Sequence, residues 1–446
     1  MLSINVVQLQ DDKKTFHSCL SVNKTWCETI IPILWKNPWK YLKRGKEKSL
    51  LNVIISHLSD EIKNNLKNQG IKYLVKKPLF NYISFCRYLN LFKVKKLINA
   101  MDKEFERIII KNDIFNIFIN EDTKFTHLYI PYQIHLIPGI KRCFSEIEFL
   151  SCNTSINNNV LVGLIEVCNS IKELELIIEQ YNNNYEIIRL IKTQKKLFNI
   201  SFLTKYSYDT NESFCKILEN SLIKHANTIQ YFKTTKQPIT KILSSFINLK
   251  VLELDCEIDL KWNCLENLSL PFLQILRASF VPVKALTSLI ENTNGYLIEI
   301  KIDHILHDEI NNKRIIQAIY QNCPYLKYLE LLIKNNNILE FENLLINCQY
   351  LIGLFFIINN NFDLDKLFKI LTESSPTSLF KFKFYIDIIP KLDSVKLFFD
   401  NWKGRHPMLL QFSKVVNFEY LMEKYKAEGI IKKYDNYLHG KDFEWI

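Results

Sequence analysis

The stretch Leu249-Lys-Val-Leu252-Glu-Leu254 decides how this chain reads. Its form is apolar-x-x-apolar-x-apolar. Leu252 and Leu254 lie two apart, so on a strand they point to one side and Glu253 points to the other. The phrase recurs as Phe125-Thr-His-Leu128-Tyr-Ile130, Phe144-Ser-Glu-Ile147-Glu-Phe149, Ile171-Lys-Glu-Leu174-Glu-Leu176 and Leu197-Phe-Asn-Ile200-Ser-Phe202. Further on it reads Leu297-Ile-Glu-Ile300-Lys-Ile302, Leu326-Lys-Tyr-Leu329-Glu-Leu331, Leu351-Ile-Gly-Leu354-Phe-Phe356 and Leu379-Phe-Lys-Phe382-Lys-Phe384. Weaker copies are Ile229-Gln-Tyr-Phe232 and Leu273-Gln-Ile-Leu276-Arg-Ala278.

With the fourth residue as anchor, the positions are 128, 147, 174, 200, 232, 252, 276, 300, 329, 354 and 382. Successive spacings are 19, 27, 26, 32, 20, 24, 24, 29, 25 and 28. Their mean, about 25, falls inside the roughly 20–29 residues of leucine-rich repeats. Helical spacing fills the gaps. Ile315, Ile316, Ile319 and Tyr320 precede Leu326; Phe341, Leu344 and Leu345 precede Leu351; Leu364, Leu367, Phe368 and Leu371 precede Leu379. Such i, i+3, i+4 patterns suit the convex helices of a horseshoe. The expected fold is α/β: a leucine-rich-repeat solenoid, each repeat burying its core against its neighbours.

A cysteine stands three residues before the first apolar position in Cys168-Asn-Ser-Ile171, Cys323-Pro-Tyr-Leu326 and Cys348-Gln-Tyr-Leu351. The pattern C-x-x-L-x-x-L-x-L resembles the cysteine-containing subclass of leucine-rich repeats, which commonly occurs behind an F-box. Residues 15–39 read TFHSCLSVNKTWCETIIPILWKNPW. Phe16, Ser18, Cys19, Leu20, Val22, Asn23, Lys24 and Trp26 resemble the second half of an F-box, "L-x-s-c-x-x-V-n-r-x-W". The family's opening Leu-Pro-x-Glu has no counterpart in residues 1–12, where Ile4, Val6, Val7 and Leu9 are the nearest to a remnant.

The resemblance implies a small all-α F-box-like cap that grips a Skp-type adaptor, and through it a cullin. It implies Phe16, Leu20, Val22 and Trp26 as adaptor contacts. It further implies a substrate-recognition subunit of an SCF-type ubiquitin ligase, cytoplasmic or nuclear, that transfers no ubiquitin itself. An unidentified protein target would lie on the strand face, against the outward residues Glu175, Glu253, Lys301, Glu330 and Lys383. Two other readings stand beside it: a helical cap shielding the end of an interaction scaffold with no ligase role, and a nucleic-acid-binding solenoid. For the last, aromatics interleave with lysine in Lys381-Phe-Lys-Phe384 and at Tyr73, among Lys72, Lys76 and Lys77. Yet Phe382 and Phe384 occupy core positions of the phrase, and one exposed ring makes no stacking platform.

The expected organisation is an incomplete F-box-like segment at 1–45, a helical linker with irregular first repeats at 46–119, the repeat array at 120–412, and a carboxyl-terminal cap at 413–446. Amphipathic helices are expected at 50–58, 61–66 and 80–91, with Gly70 closing the second. A strand is expected at 408–412 and a polar helix at 417–427.

Composition excludes most chemistry. Gly numbers 9 in 446 residues, too few for glycine-rich phosphate loops to be expected. No G-x-S-x-G, Walker loop, G-x-G-x-x-G or H-E-x-x-H occurs. The chain reads as no enzyme, with no cofactor and no metal. His304 and His307, beside Asp308 and Glu309, lack further ligands. Asp11-Asp12 reads as solvated loop. Eleven cysteines without C-x-x-C spacing read as reduced, buried apolar residues; most sit among apolar residues, and Cys143, beside Lys141 and Arg142, is an exception. Net charge is +11, with the densest basic run at 36–48 reading as solvated linker. The amino terminus has no basic region before its apolar stretch, so no signal peptide is expected, and no run approaches 18 apolar residues.

Overall fold

The computed structural model describes residues 13–70, 77–101, 103–120, 123–130, 140–204, 211–256, 262–303, 308–358, 362–386, 390–412 and 418–435. Residues 1–12, the Lys72–Tyr73–Lys76 group and the His304/His307 pair lie outside them. The chain divides into two compact units, Met1–Leu197 and Phe198–Ile446.

The first unit opens with helices α1 (Lys13–Leu20) and α2 (Lys24–Lys36), followed by α3 (Glu47–Ile55) and α4 (Asp60–Asn68). Gly70 ends α4 at φ +78°, as its lack of a Cβ allows. Strand β1 (Tyr88–Asn90) follows, then α5 (Leu91–Asn99), α6 (Glu104–Phe118), β2 (His127–Ile130), α7 (Ile140–Cys143), β3 (Phe149–Asn153), α8 (Asn158–Val167), β4 (Glu173–Ile178) and α9 (Glu186–Thr193). The strands pair in parallel, in chain order: Leu89, Leu128, Leu150 and Leu174 face one another across successive strands.

Two expectations change here. Residues 80–90 hold no α-helix; a 3-10 turn at Tyr82–Phe85 leads into β1, so Phe80–Leu89 belongs to an early, irregular repeat instead. The anchor of the second repeat is Leu150, not Ile147, so the neighbouring spacings become 22 and 24 in place of 19 and 27. Ile147 is buried, but in the turn ahead of the strand.

The second unit continues with β5 (Asn199–Thr204), α10 (Glu212–Ser221), β6 (Tyr231–Thr234), β7 (Val251–Asp255), β8 (Ile275–Ser279), α11 (Val283–Glu291), β9 (Glu299–Asp303), α12 (Glu309–Asn322), β10 (Tyr328–Leu332), α13 (Ile338–Asn347), β11 (Gly353–Ile358), α14 (Leu364–Ser374), β12 (Lys381–Ile386), α15 (Leu392–Asn401), β13 (Met408–Phe412), α16 (Glu419–Ala427) and β14 (Ile431–Asp435). Again every strand pairs in parallel with the next. Ile200, Phe232, Leu252, Leu276, Ile300, Leu329, Leu354, Phe382 and Leu410 are in register. Beyond the expected strand at 408–412, β14 adds one more after α16.

Repeat length limits the return element without fixing it, since the 24 residues from Leu276 to Ile300 hold the nine-residue α11. The 20 residues from Phe232 to Leu252 leave room only for a 3-10 turn at Ile242–Ser245, and the 24 from Leu252 to Leu276 hold another at Asn263–Leu265. The 29 from Ile300 to Leu329 carry the 14-residue α12. A 3-10 turn closes in three residues per turn and so fits the shorter connection. Strands in order, each returned through a helical segment at this period, make the chain a leucine-rich-repeat solenoid.

The core lies between strands and returns. Toward the carboxyl end it is aromatic. Phe356, Phe384 and Phe412 stack along the strands at 5.0 Å between successive rings. Phe382 meets Trp402 edge-on at 5.2 Å and Phe398 at 5.9 Å. Phe382 is fully buried. Phe382→Ala is expected to lower unfolding free energy by about 3–5 kcal/mol, read from urea unfolding followed by circular dichroism; a loss under 1 kcal/mol is incompatible with this packing.

Candidate functional site

The amino-terminal pair forms because Asn23 breaks the chain between α1 and α2. Asn23 is extended (φ −166°), and its Oδ1 accepts from the Trp26 N–H at 3.0 Å, an N-cap. Asn23 and Trp26 of the F-box-like pattern thus have a local reason for their spacing. Phe16 and Ile30 form a small buried cluster, against which Cys19, Leu20, Trp26, Ile33 and Leu34 pack half-buried. Of the four residues expected to contact an adaptor, Phe16 is therefore corrected: it is core of this helix pair. Leu20 and Trp26 are partly covered. Val22, at the elbow, is 59% exposed.

The other end of α2 holds the solenoid. Trp35 stacks on Tyr82 at 4.8 Å. Trp39, just past the helix, is buried, and its Nε1–H donates to the Tyr88 carbonyl at 2.7 Å. The Arg87 N–H donates to the Lys36 carbonyl at 3.0 Å. These contacts cover the outer side of β1.

On the face of the second unit's sheet opposite the core, strand register lines up Lys233, Glu253, Arg277, Lys301, Glu330, Phe355, Lys383 and Gln411. Their charges pair sideways. Glu253 is 2.8 Å from Arg277 and 3.5 Å from Lys233; Arg277 also meets Glu299 at 2.8 Å; Lys301 meets Glu330 at 3.1 Å. In the first unit Ser151 Oγ donates to Glu175 at 2.6 Å. Of the residues expected to touch a target, Glu175 and Glu253 are half-buried. Lys301, Glu330 and Lys383 are corrected: they point away from the core, but they are buried, with Glu330 3% and Lys383 0% exposed. Lys383 Nζ lies 5.9 Å from the Phe355 ring. Strands sit close enough that long side chains in one row cover each other. The next outward position supplies what is open, with Asp255 and Tyr385 exposed.

Sequence reasoning missed an aromatic row on the first unit. Tyr88, His127 and Phe149 are in register, and they stack at 3.8 Å and 5.5 Å with their planes 22° and 18° apart. Tyr129 lies 4.9 Å from Phe149. The row was hidden because its members come from three different phrases. Thr126 Oγ1 and His127 Nδ1 are 2.9 Å apart. Burial holds the His127 imidazole below its ordinary value; Glu148 pulls it up and Lys36 pushes it further down.

All eleven cysteines are free thiols. Cys168 Sγ reaches the Phe144 carbonyl at 3.2 Å and Cys348 Sγ the Cys323 carbonyl at 3.8 Å, so the cysteine of C-x-x-L ties its turn to the preceding repeat. At the equivalent place Gln194 is buried, donating to the Cys168 carbonyl at 2.8 Å and accepting from the Ile171 N–H at 3.0 Å. Burial pushes the Cys168 and Cys348 thiols up to about 12, which leaves them inert. Cys143 is buried too, its thiol donating to the Asn120 carbonyl at 2.7 Å. Among the described residues no group of three His, Cys, Asp or Glu side chains is placed to hold a metal, and no helix is long and apolar enough to cross a membrane.

No family model and no curated protein matches the chain. Among solved structures, the leucine-rich repeat-containing protein LegL7 of Legionella pneumophila aligns over 60% of this chain and 85% of its own, at 11% identity and a TM-score of 0.33. The yeast Rad7 and Elc1 complex provides a chain that aligns over 96% of this one and 88% of its own, at 13% identity and a TM-score of 0.38. Scores this low carry no inference about what the chain binds.

Burial pushes the Glu330 carboxyl up to about 7 from an ordinary 4.5, against the pull of Lys301. Between those values the folded chain keeps a proton that the unfolded chain has released. The associated stability is therefore fully present below pH 4.5 and is lost as pH rises through 7. Glu330→Gln is expected to match the parent near pH 4.5 and to exceed it by about 3 kcal/mol at pH 8. Denaturant unfolding at both pH values checks this; a difference that does not grow with pH rules it out.

Proposed function

We propose that the chain is a substrate-recognition subunit of an SCF-type ubiquitin ligase. Its amino-terminal helix pair binds a Skp-type adaptor, and through it a cullin, while its repeat face binds a protein target. It transfers no ubiquitin itself. The observation that carries this reading is the elbow of α1 and α2, where Val22 is 59% exposed between half-covered Leu20 and Trp26. A valine that the helix pair's own core does not use is available to a partner, and the half-covered tryptophan beside it is of the residue type that anchors interfaces. Phe16 supports the pair from inside. On the repeat face, Glu175 and Glu253, with Asp255 and Tyr385, are the accessible side chains. Lys301, Glu330 and Lys383 shape the surface from below.

A second reading has its own support. Trp35 and Trp39 fix the segment over β1 as a cap would be fixed. On that reading the chain is an interaction scaffold without a ligase role.

Pull-down with the cognate Skp-type adaptor separates the two. The full chain is expected to bind. Val22→Glu is expected to weaken binding at least about tenfold, by placing a charge in an apolar contact, with an unchanged circular dichroism spectrum. Deletion of residues 1–45 is expected to abolish binding. No binding by the full chain removes the ligase reading and leaves the scaffold.

A further inference from the structure

The first unit contains an open groove between the end of α2 and the start of the strands. Lys36 comes from α2, Arg87 and Tyr88 from the entry of β1, Thr126 and His127 from β2, and Glu148 from the entry of β3. Two of these groups are cations with charge to spare. Lys36 is exposed, and no acid lies within ion-pair reach of it among the described residues. The Arg87 guanidinium is held in place by its Nη1, which donates to the carbonyls of Ser84 at 2.8 Å and Cys86 at 3.0 Å. Among the described residues no acceptor meets its Nε or Nη2. Glu148 offsets them only in part, because its carboxylate is also paired with Lys172 Nζ at 2.5 Å.

The same groove has a flat apolar component. Tyr88 ends the ring stack Tyr88–His127–Phe149. It lines the groove and has no ring partner but His127 among the described residues. A stack that ends on an open face receives another planar ring at offset-stacking distance. Two cations beside such a face favour a dianion, through charge-assisted hydrogen bonds from Lys and Arg.

We propose that this groove binds a molecule that joins a phosphate monoester to a planar ring. The ring stacks on Tyr88, and the phosphate lies against Lys36 and Arg87. Two carriers bring a ring and a phosphate together: a phosphotyrosyl side chain of a protein target, whose ring bears the phosphate, and a mononucleotide, whose ribose stands between base and phosphate. The inference does not depend on adaptor binding.

The test is calorimetric titration of the full chain, without adaptor, using phenyl phosphate, inorganic phosphate, a phosphotyrosyl peptide and AMP. Phenyl phosphate is expected to bind at least about tenfold more tightly than inorganic phosphate. Lys36→Glu is expected to weaken phenyl phosphate at least about tenfold, with an unchanged melting temperature, since among the described residues the Lys36 side chain makes no hydrogen bond or ion pair. Tyr88→Ala is expected to remove the preference for phenyl over inorganic phosphate. Tighter binding of the peptide than of AMP, or the reverse, names the carrier and supports the site either way. No saturable binding of phenyl phosphate, equal affinity for inorganic phosphate, or equal affinity in Lys36→Glu overturns the proposal.

Discussion

From β1 to β4 and from β5 to β12, one backbone carbonyl per repeat takes two N–H groups from the next, and the rest of each unit is arranged around that exchange. The Lys250 carbonyl accepts from Gln274 and Ile275, at 2.8 and 3.0 Å. The Gln274 carbonyl accepts from Ile298 and Glu299, Ile298 from Lys327 and Tyr328, Lys327 from Ile352 and Gly353, and Ile352 from Phe380 and Lys381. The first unit does the same from Arg87 to Thr126 and His127, and from Thr126 to Glu148 and Phe149. A buried carbonyl has two lone pairs to satisfy, and the double acceptance fills both at the point where each strand begins. It also fixes register. Once the entry carbonyl is placed, the anchor residue and every alternating position after it are placed as well. Return segments are then free to vary in length, because they need only bring the chain back to the next entry point.

That freedom explains which parts of the fold were legible. Leu252, Ile300 and Leu329 stood out because the strand phrase has a two-residue period that survives any change in the return. Phe144-Ser-Glu-Ile147-Glu-Phe149 imitated the phrase without being it. Ile147 is apolar because the turn ahead of a strand is buried as well, and spacing cannot separate a buried turn from a buried strand. The entry carbonyl of Thr126, bonded to Glu148 and Phe149, places Leu150 on the core side and turns Phe149 outward, into the aromatic row. Strand β1 was obscured for a related reason. Leu89 precedes Leu128 by 39 residues, a spacing set by two helices, α5 and α6, where later repeats have at most one.

The candidate surfaces were less legible than the fold, and for a different physical reason. Alternation along one strand gives the direction of a side chain; exposure depends on its neighbours across strands. Glu253, Arg277 and Lys301 come from three repeats and meet only because the ladder brings them into one row. In that row opposite charges close on each other. The exposed character that the lone sequence suggests for Lys301 or Glu330 is thereby lost, and Glu330 keeps its proton to unusually high pH. Tyr88, His127 and Phe149 show the same effect with rings in place of charges. No single phrase contains two of them, so no motif announces the groove they end on.

The amino-terminal segment has room on one helix for capping contacts and for the docking role proposed for it. α2 has 13 residues, a length of about 20 Å. Its carboxyl end carries Trp35 and Lys36, with Trp39 just beyond, and these hold it to the entry of β1: Trp35 by its stack on Tyr82, Lys36 by its carbonyl and Trp39 by its indole N–H. Its amino end carries the Asn23 cap and Trp26, with Val22 at the turn before it. Contacts at one end leave the other end uncovered. Holding the helix down through Trp35 and Trp39 limits how far its free end can move, so a partner that meets Val22 meets a surface already fixed in place, and less of the binding energy goes to ordering it. The cap and the docking surface are then not rival explanations of residues 15–39. The capping contacts are what would make the exposed elbow a rigid one.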